Sequence, residues 1–126
     1  MLPLISVLTP VFDPDPAHLA ACLRSVERQS TANWEHVLVN DGSTRPEVAR
    51  ILDEHAASDA RVRVIHRSEQ GGIVAASSDA LAAATGTFVA LVDHDDVAPT
   101  EVRVELLDEL RLLGAVELHE GSTVTI

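Results

Sequence analysis

Apolar residues along this chain fall into short unbroken runs, separated by stretches in which they recur every three or four positions. Residues 4–8 (LISVL) form a run of strand length, ended by Thr9-Pro10. Pro16 then stands where a helix tolerates proline, in its first turn. Leu19, Cys22, Leu23 and Val26 follow at i, i+3, i+4 and i+7, which is one helical face. Residues 34–39 (WEHVLV) read as a second strand, broken by Asn40-Asp41-Gly42-Ser43, a strong turn signal. A second helix starts near Pro46 and aligns Val48, Ile51, Leu52 and His55.

Residues 62–65 supply a third strand. Gly71-Gly72 break the chain before an Ala-rich helix over residues 73–84, closed by Gly86 just past its end. Residues 88–92 (FVALV) are a fourth, fully apolar strand that runs straight into Asp93-His94-Asp95-Asp96. The spacing predicts a fourth helix over residues 99–113, with Val102, Leu106, Leu110 and Leu113 along one side. Residues 114–126 are left for one or two short strands. Strand and helix alternating in this way predict an α/β fold: an open, mainly parallel sheet with helices on both faces. No repeat or internal linker interrupts it, so residues 1–126 are expected to form a single domain.

Composition narrows the chemistry. Twenty Asp and Glu stand against nine basic residues, a net charge of −11, which argues against nucleic acid or an anionic membrane as partner. All nine basic residues are Arg, so a Schiff-base lysine or a phosphate-loop lysine is excluded. Cys22 is the one cysteine, which excludes an internal disulfide and a cysteine-built metal site; it reads as a small core residue. Two Phe, one Trp and no Tyr give no platform for stacking single-stranded bases. The opening residues lack a basic, apolar leader, and no apolar run has the length of a transmembrane segment. A cytoplasmic location is therefore expected, with peripheral attachment at the inner face of a membrane as its variant.

In open α/β sheets ligands bind beyond the carboxyl ends of the strands, where strand order reverses. The residues to read there are Thr9, Pro10 and Asp13; Asp41, Gly42 and Ser43; His66 and Arg67; and Asp93, His94, Asp95 and Asp96. Carboxylates crowded at one edge repel unless a cation joins them, and oxygen-rich acidic clusters suit Mg²⁺ or Mn²⁺. A solvated acidic turn is the plainer alternative. The absence of GxGxxG and of GxxxxGK[ST] removes a dinucleotide fold of the usual kind and a P-loop. A receiver domain needs a lysine and an acidic pair directly after its first strand, and neither is here.

ISVLTPVFD (5–13), LRSVERQSTANW (23–34), VLVNDGST (37–44), EQGGIVAASSDALAAATGTFVALVDHDD (69–96) and VAP (97–99) occur in this order and spacing. Over residues 4–99 they resemble the nucleotide-sugar-binding half of a family 2 glycosyltransferase of the GT-A, Rossmann-like fold. The resemblance implies transfer of a sugar from a nucleoside-diphosphate sugar, UDP- or dTDP-type, to a glycan or similar acceptor, by single displacement and with divalent metal. It implies that Thr9, Pro10 and Val11 lie against the base, with Asp13 in the same loop. Asp41 contacts base or ribose, and Arg67 stands where a base-proximal side chain can occur, an exposed arginine being its plainer reading. Asp93 and Asp95 form the DxD, the first on ribose or metal and the second on the metal that bridges the diphosphate. His94 lies between them, pointing away from the metal. Glycine at 71 and 72 lets backbone approach the nucleotide.

Two departures qualify this. Ser77-Ser78 stand where many members carry Arg-Asn, and beyond Pro99 no family match continues. The acceptor half, which usually brings the general base, is thus expected to be absent. Glu117 and Glu120 align with no such base, so none is assigned. A non-catalytic nucleotide-binding or assembly module that keeps the fold is the second reading. Apolar surface left uncovered would then favour a homo-oligomer.

Overall fold

A computed structural model describes residues 3–28 and 33–92, together with the backbone of residues 103–106 and 124–125. β1 (Ile5–Val11), α1 (Pro16–Glu27), β2 (Trp34–Asp41), α2 (Pro46–Ser58), β3 (Val62–Arg67), α3 (Ile73–Ala83) and β4 (Phe88–Leu91) follow in order. β5 (Arg103–Leu106) and β6 (Val124–Thr125) come after them. The sheet order is β3-β2-β1-β4-β5-β6. β1 pairs in parallel with both β2 and β4, and β2 with β3, whereas β5 runs antiparallel to β4 and β6 antiparallel to β5.

The pleat sorts side chains into two cores. Ile5, Val7, Val11, Trp34, Leu38, Val62 and Ala90 face α1 and α2, where Leu19, Cys22, Leu23, Val26, Val48 and Leu52 meet them. Leu8, Val37, Val39 and Val89 point the other way and pack on Ala76, Ala80, Leu81 and Ala84 of α3. Helices therefore cover both faces, and the small residues of α3 let it lie close on β1 and β2.

Each helix start has its own device. Asp15 caps α1 by accepting from Ala17 N (2.8 Å) and His18 N (3.4 Å), with Pro16 opening the first turn. α2 also opens on a proline, but its cap residue, Arg45, makes no side-chain cap bond. α3 begins at Gly72 (φ 95°, ψ 168°), likewise without a side-chain cap.

Two expectations need correction. Residues 103–106 are a strand, not part of a helix. Arg103-Val104-Glu105-Leu106 alternates polar and apolar, so it satisfies the strand period as well, and the free edge of apolar β4 supplies a partner, pairing Phe88 with Leu106 and Val89 with Glu105. The remaining residues of the expected helix lie outside the described residues. One short strand does occur in the tail, β6. Gly86, read as a helix stop, is not the cap: α3 closes at Ala84, whose N–H bonds Leu81 O at 3.2 Å. Gly86 lies instead against β1, where a Cβ would come within 2.7 Å of Ser6 Oγ and 2.9 Å of Ser6 N.

Candidate functional site

Strand order reverses between β1 and β4, and the two strands end at different heights there. β1 pairs with β2 through Val11, but with β4 only through Leu8, and the last rung is Val92 N–H to Leu8 O at 3.1 Å. Among the described residues Thr9, Pro10 and Val11 therefore extend beyond the β1–β4 pairing. Pro10, two residues beyond Leu8, has no N–H to continue this ladder. Val11 is fully buried under the helices. Thr9 is fully buried too, and its hydroxyl is 2.8 Å from His36 Nε2 on the α1/α2 face. What Thr9 offers a ligand is backbone, not its hydroxyl.

Asp13 sits in the left-handed region (φ 41°) just past this overhang. Its Oδ1 accepts from Thr44 N (2.8 Å) and Arg45 N (3.0 Å), and its Oδ2 from Thr44 Oγ1 (2.7 Å). Its own N–H donates to Ser43 Oγ at 3.0 Å. The Thr44 hydroxyl, then the Arg45 amide, hold the Asp13 carboxyl below its usual range. Asp13 thus ties the β1–α1 loop to the turn that leads into α2.

Beside it, Asn40 Oδ1 accepts from Ser43 N (3.2 Å), and Asn40 Nδ2 is 3.1 Å from His66 Nδ1. His66 Nε2 reaches Asp53 Oδ1 at 2.9 Å. Amide as donor at Nδ1 and Nε2–H as donor to Asp53 is the tautomer this network assigns.

Asp41, next along β2, projects to the α3 face. Oδ1 accepts from Gly71 N and Oδ2 from Gly72 N, both at 2.9 Å, and Arg67 Nε stands 3.0 Å from Oδ1. The side chain is 4% exposed, so this is a nearly dry ion pair. Arg67 Nη1 also bonds Asp79 Oδ2. Gly71 leaves room for this guanidinium: a Cβ there would meet Arg67 Nη2 at 2.6 Å, so the side chain would have to shift. Gly42 (φ 71°) is required by the neighbouring loop, where a Cβ would lie 2.6 Å from Gln70 N. The glycine amides expected to approach a nucleotide are turned onto Asp41.

Of the residues expected from sequence, Thr9, Pro10, Val11, Asp13, Asp41, Arg67 and Gly71 gather at one sheet edge. Asp93, His94 and Asp95 lie outside the described residues. Among the described residues no three His, Cys, Asp or Glu side chains come together as a metal site. No described helix is long and apolar enough to cross a membrane. The sequence reading missed Thr44, His36 and Asp79. For Asp79 a signal existed: it is the only charged residue between positions 73 and 84.

Comparison with known proteins places this geometry. The pattern of glycosyl transferase family 2 matches residues 6–115. O-antigen biosynthesis protein RfbC of Myxococcus xanthus is 41% identical over 104 residues, 82% of this chain and 8% of that protein. TarS 1-349 of S. aureus, solved in complex with UDP, superposes with a TM-score of 0.69 at 25% identity, covering 89% of this chain and 31% of that one. The mannosyltransferase PcManGT of Pyrobaculum calidifontis, in complex with GDP-Man and Mn²⁺, gives a TM-score of 0.69 at 22% identity, covering 79% and 29%. The fold is that of GT-A glycosyltransferases. The chain spans about a tenth of the length of the curated relatives it matches first.

Proposed function

The chain belongs to glycosyl transferase family 2, and from that premise we propose that it is the donor-binding part of a glycosyltransferase acting on a nucleoside-diphosphate sugar. The donor is UDP- or dTDP-type and the acceptor a glycan. The observation that carries the reading is the β1 overhang at the switch point, with Asp41 and Arg67 on one side of it and the Asp13-braced loop on the other. This is the crevice in which open α/β sheets bind ligands. UDP in one structural neighbour supports the base class.

Within that crevice the residues divide the work. The Thr9–Val11 backbone, at the carboxyl end of β1, offers a wall for a base. Asp41 carries a carboxylate held in one orientation by Gly71, Gly72 and Arg67, ready to accept from a ligand N–H. Asp13 fixes the Ser43–Arg45 loop, so the wall and the carboxylate keep their separation. Such pre-set positioning lets binding energy go to the ligand rather than to ordering the site.

A divalent cation, Mn²⁺ or Mg²⁺, belongs to this chemistry. The donor set fits it: hard carboxylate oxygens at Asp93 and Asp95, directly after the strand whose Val92 still bonds Leu8 at the switch point. When bound, the ion supplies charge neutralisation for the departing diphosphate. PcManGT with Mn²⁺ supports the class of metal.

Calorimetric titration of UDP and dTDP into this chain, with and without Mn²⁺, tests the reading. Metal-dependent binding that Asp95→Ala abolishes is expected. A folded chain that binds neither nucleotide overturns it.

A further inference from the structure

Asp79 lies in the second turn of α3, and the sequence reading gave it no role. Its carboxylate takes Nη1 of Arg67, while Nε of the same guanidinium faces Asp41 Oδ1 at 3.0 Å. One cation therefore bridges two carboxylates on different elements, Asp41 nearly buried and Asp79 42% exposed. Nη2 of the guanidinium lies in the space that Gly71 leaves open.

A carboxylate accepts about four hydrogen bonds. Asp41 has one site on each oxygen engaged by backbone, Gly71 N at Oδ1 and Gly72 N at Oδ2, while Arg67 Nε pairs with Oδ1 by charge at 3.0 Å without hydrogen-bond geometry. One site on Oδ2 is left. An arginine beside a single carboxylate prefers the two-pronged, fork-to-fork arrangement, which would fill that last site. Asp79 prevents this by pulling Nη1 the other way.

We propose that Asp79 is a positioning residue of the nucleotide site: it anchors the Arg67 guanidinium so that one acceptor site on Asp41 Oδ2 stays available to an N–H donor of the ligand. The proposal rests on the reading of this edge as a nucleoside-diphosphate site. The ligand class it selects is a base with a ring N–H, as in uracil or thymine. Without Asp79, Arg67 closes on Asp41 and competes with the base.

The test is a double-mutant cycle read by UDP titration in Mn²⁺. Asp79→Ala is expected to weaken UDP binding about tenfold, on the order of one hydrogen bond to a charged group. Asp79→Glu, which keeps the anchor, is expected to recover most of that loss. In an Arg67→Ala background Asp79→Ala should change nothing, because no guanidinium is left to close. Wild-type affinity in Asp79→Ala overturns the proposal, as does an equal loss in both backgrounds, which would mark a general effect on α3. A second variant, Asp79→Asn, repeats the cycle if the alanine variant does not fold. If the wild-type chain binds no UDP, the nucleotide reading itself fails and this proposal falls with it.

Discussion

Asp13 and Thr44 are joined twice across thirty-one positions of sequence, the carboxylate accepting both the Thr44 amide at 2.8 Å and its hydroxyl at 2.7 Å. The start of α2 is thus secured from the β1–α1 loop. Replacing Asp13 by Ala should lower the melting temperature and speed amide exchange at Thr44 and Arg45, leaving α1 unaffected. Because the folded carboxyl titrates below its usual range, its contribution is present above about pH 4 and is lost as pH falls through the folded value. Unchanged exchange at both amides would contradict this bracing role.

His36 gives the chain a second, separate acid sensitivity. It is fully buried, Nδ1 has no described partner, and burial first, then the nearby His55, lowers its pKa from 6.5 to about 3. Between those values the unfolded chain holds a proton that the folded chain refuses. Stability should therefore fall as pH drops below about 6.5, by about 1.4 kcal/mol per pH unit at most. Denaturant unfolding from pH 7 to 4.5 reads this slope, and His36→Gln should flatten it. A wild-type profile that is already flat would show that His36 is not buried neutral.

Much of this was legible in the sequence. β1 to β4 and three helices follow from periodicity, since each run fits only one period over its length. Residues 103–106 fit both periods, and the choice was made by the unpaired edge of β4, which no local window contains. The site divides in the same way. Asp41 and Arg67 stand at strand ends and could be read from position alone. The roles of Asp13 and Asp79 depend on partners supplied by other elements, Thr44 and Arg67, and spacing does not reveal them.

Gly42 and Gly72 both have positive φ, yet they should respond differently to substitution. A Cβ at Gly42 collides with the backbone at Gln70, whereas one at Gly72 meets nothing within 4 Å. Both alanine variants suffer backbone strain. Gly42→Ala should be the less stable of the two by about 1–3 kcal/mol, the usual cost of overpacking. Equal melting temperatures would mean that the two loops are not in contact.

Glu35 ties the amino end of the sheet to the turn between α3 and β4. Its carboxylate accepts from Ser6 Oγ (2.5 Å), Thr85 N (2.7 Å), Thr85 Oγ1 (3.0 Å) and Arg63 Nη2 (2.7 Å). Glu35→Ala leaves these donors without their acceptor and should cost about 1–3 kcal/mol in chemical denaturation. Glu35→Gln, which keeps the shape and one acceptor oxygen, should cost less. A Gln variant as destabilised as the Ala variant would overturn the idea that one retained acceptor oxygen preserves part of this anchor.

The two polar networks at the sheet's carboxyl edge lie on opposite faces yet spring from neighbours in the chain, Asn40 and Asp41. That adjacency acts as a frame check on β2. A slip of one residue would exchange the two side chains between faces. A slip in one direction would bring the carboxylate beside the Asp53–His66 pair, and a slip in the other would leave an uncharged amide under Arg67 and the glycine amides. Misalignment by one step is thus penalised whichever way the strand moves, and the order of two letters in the sequence keeps the strand in register.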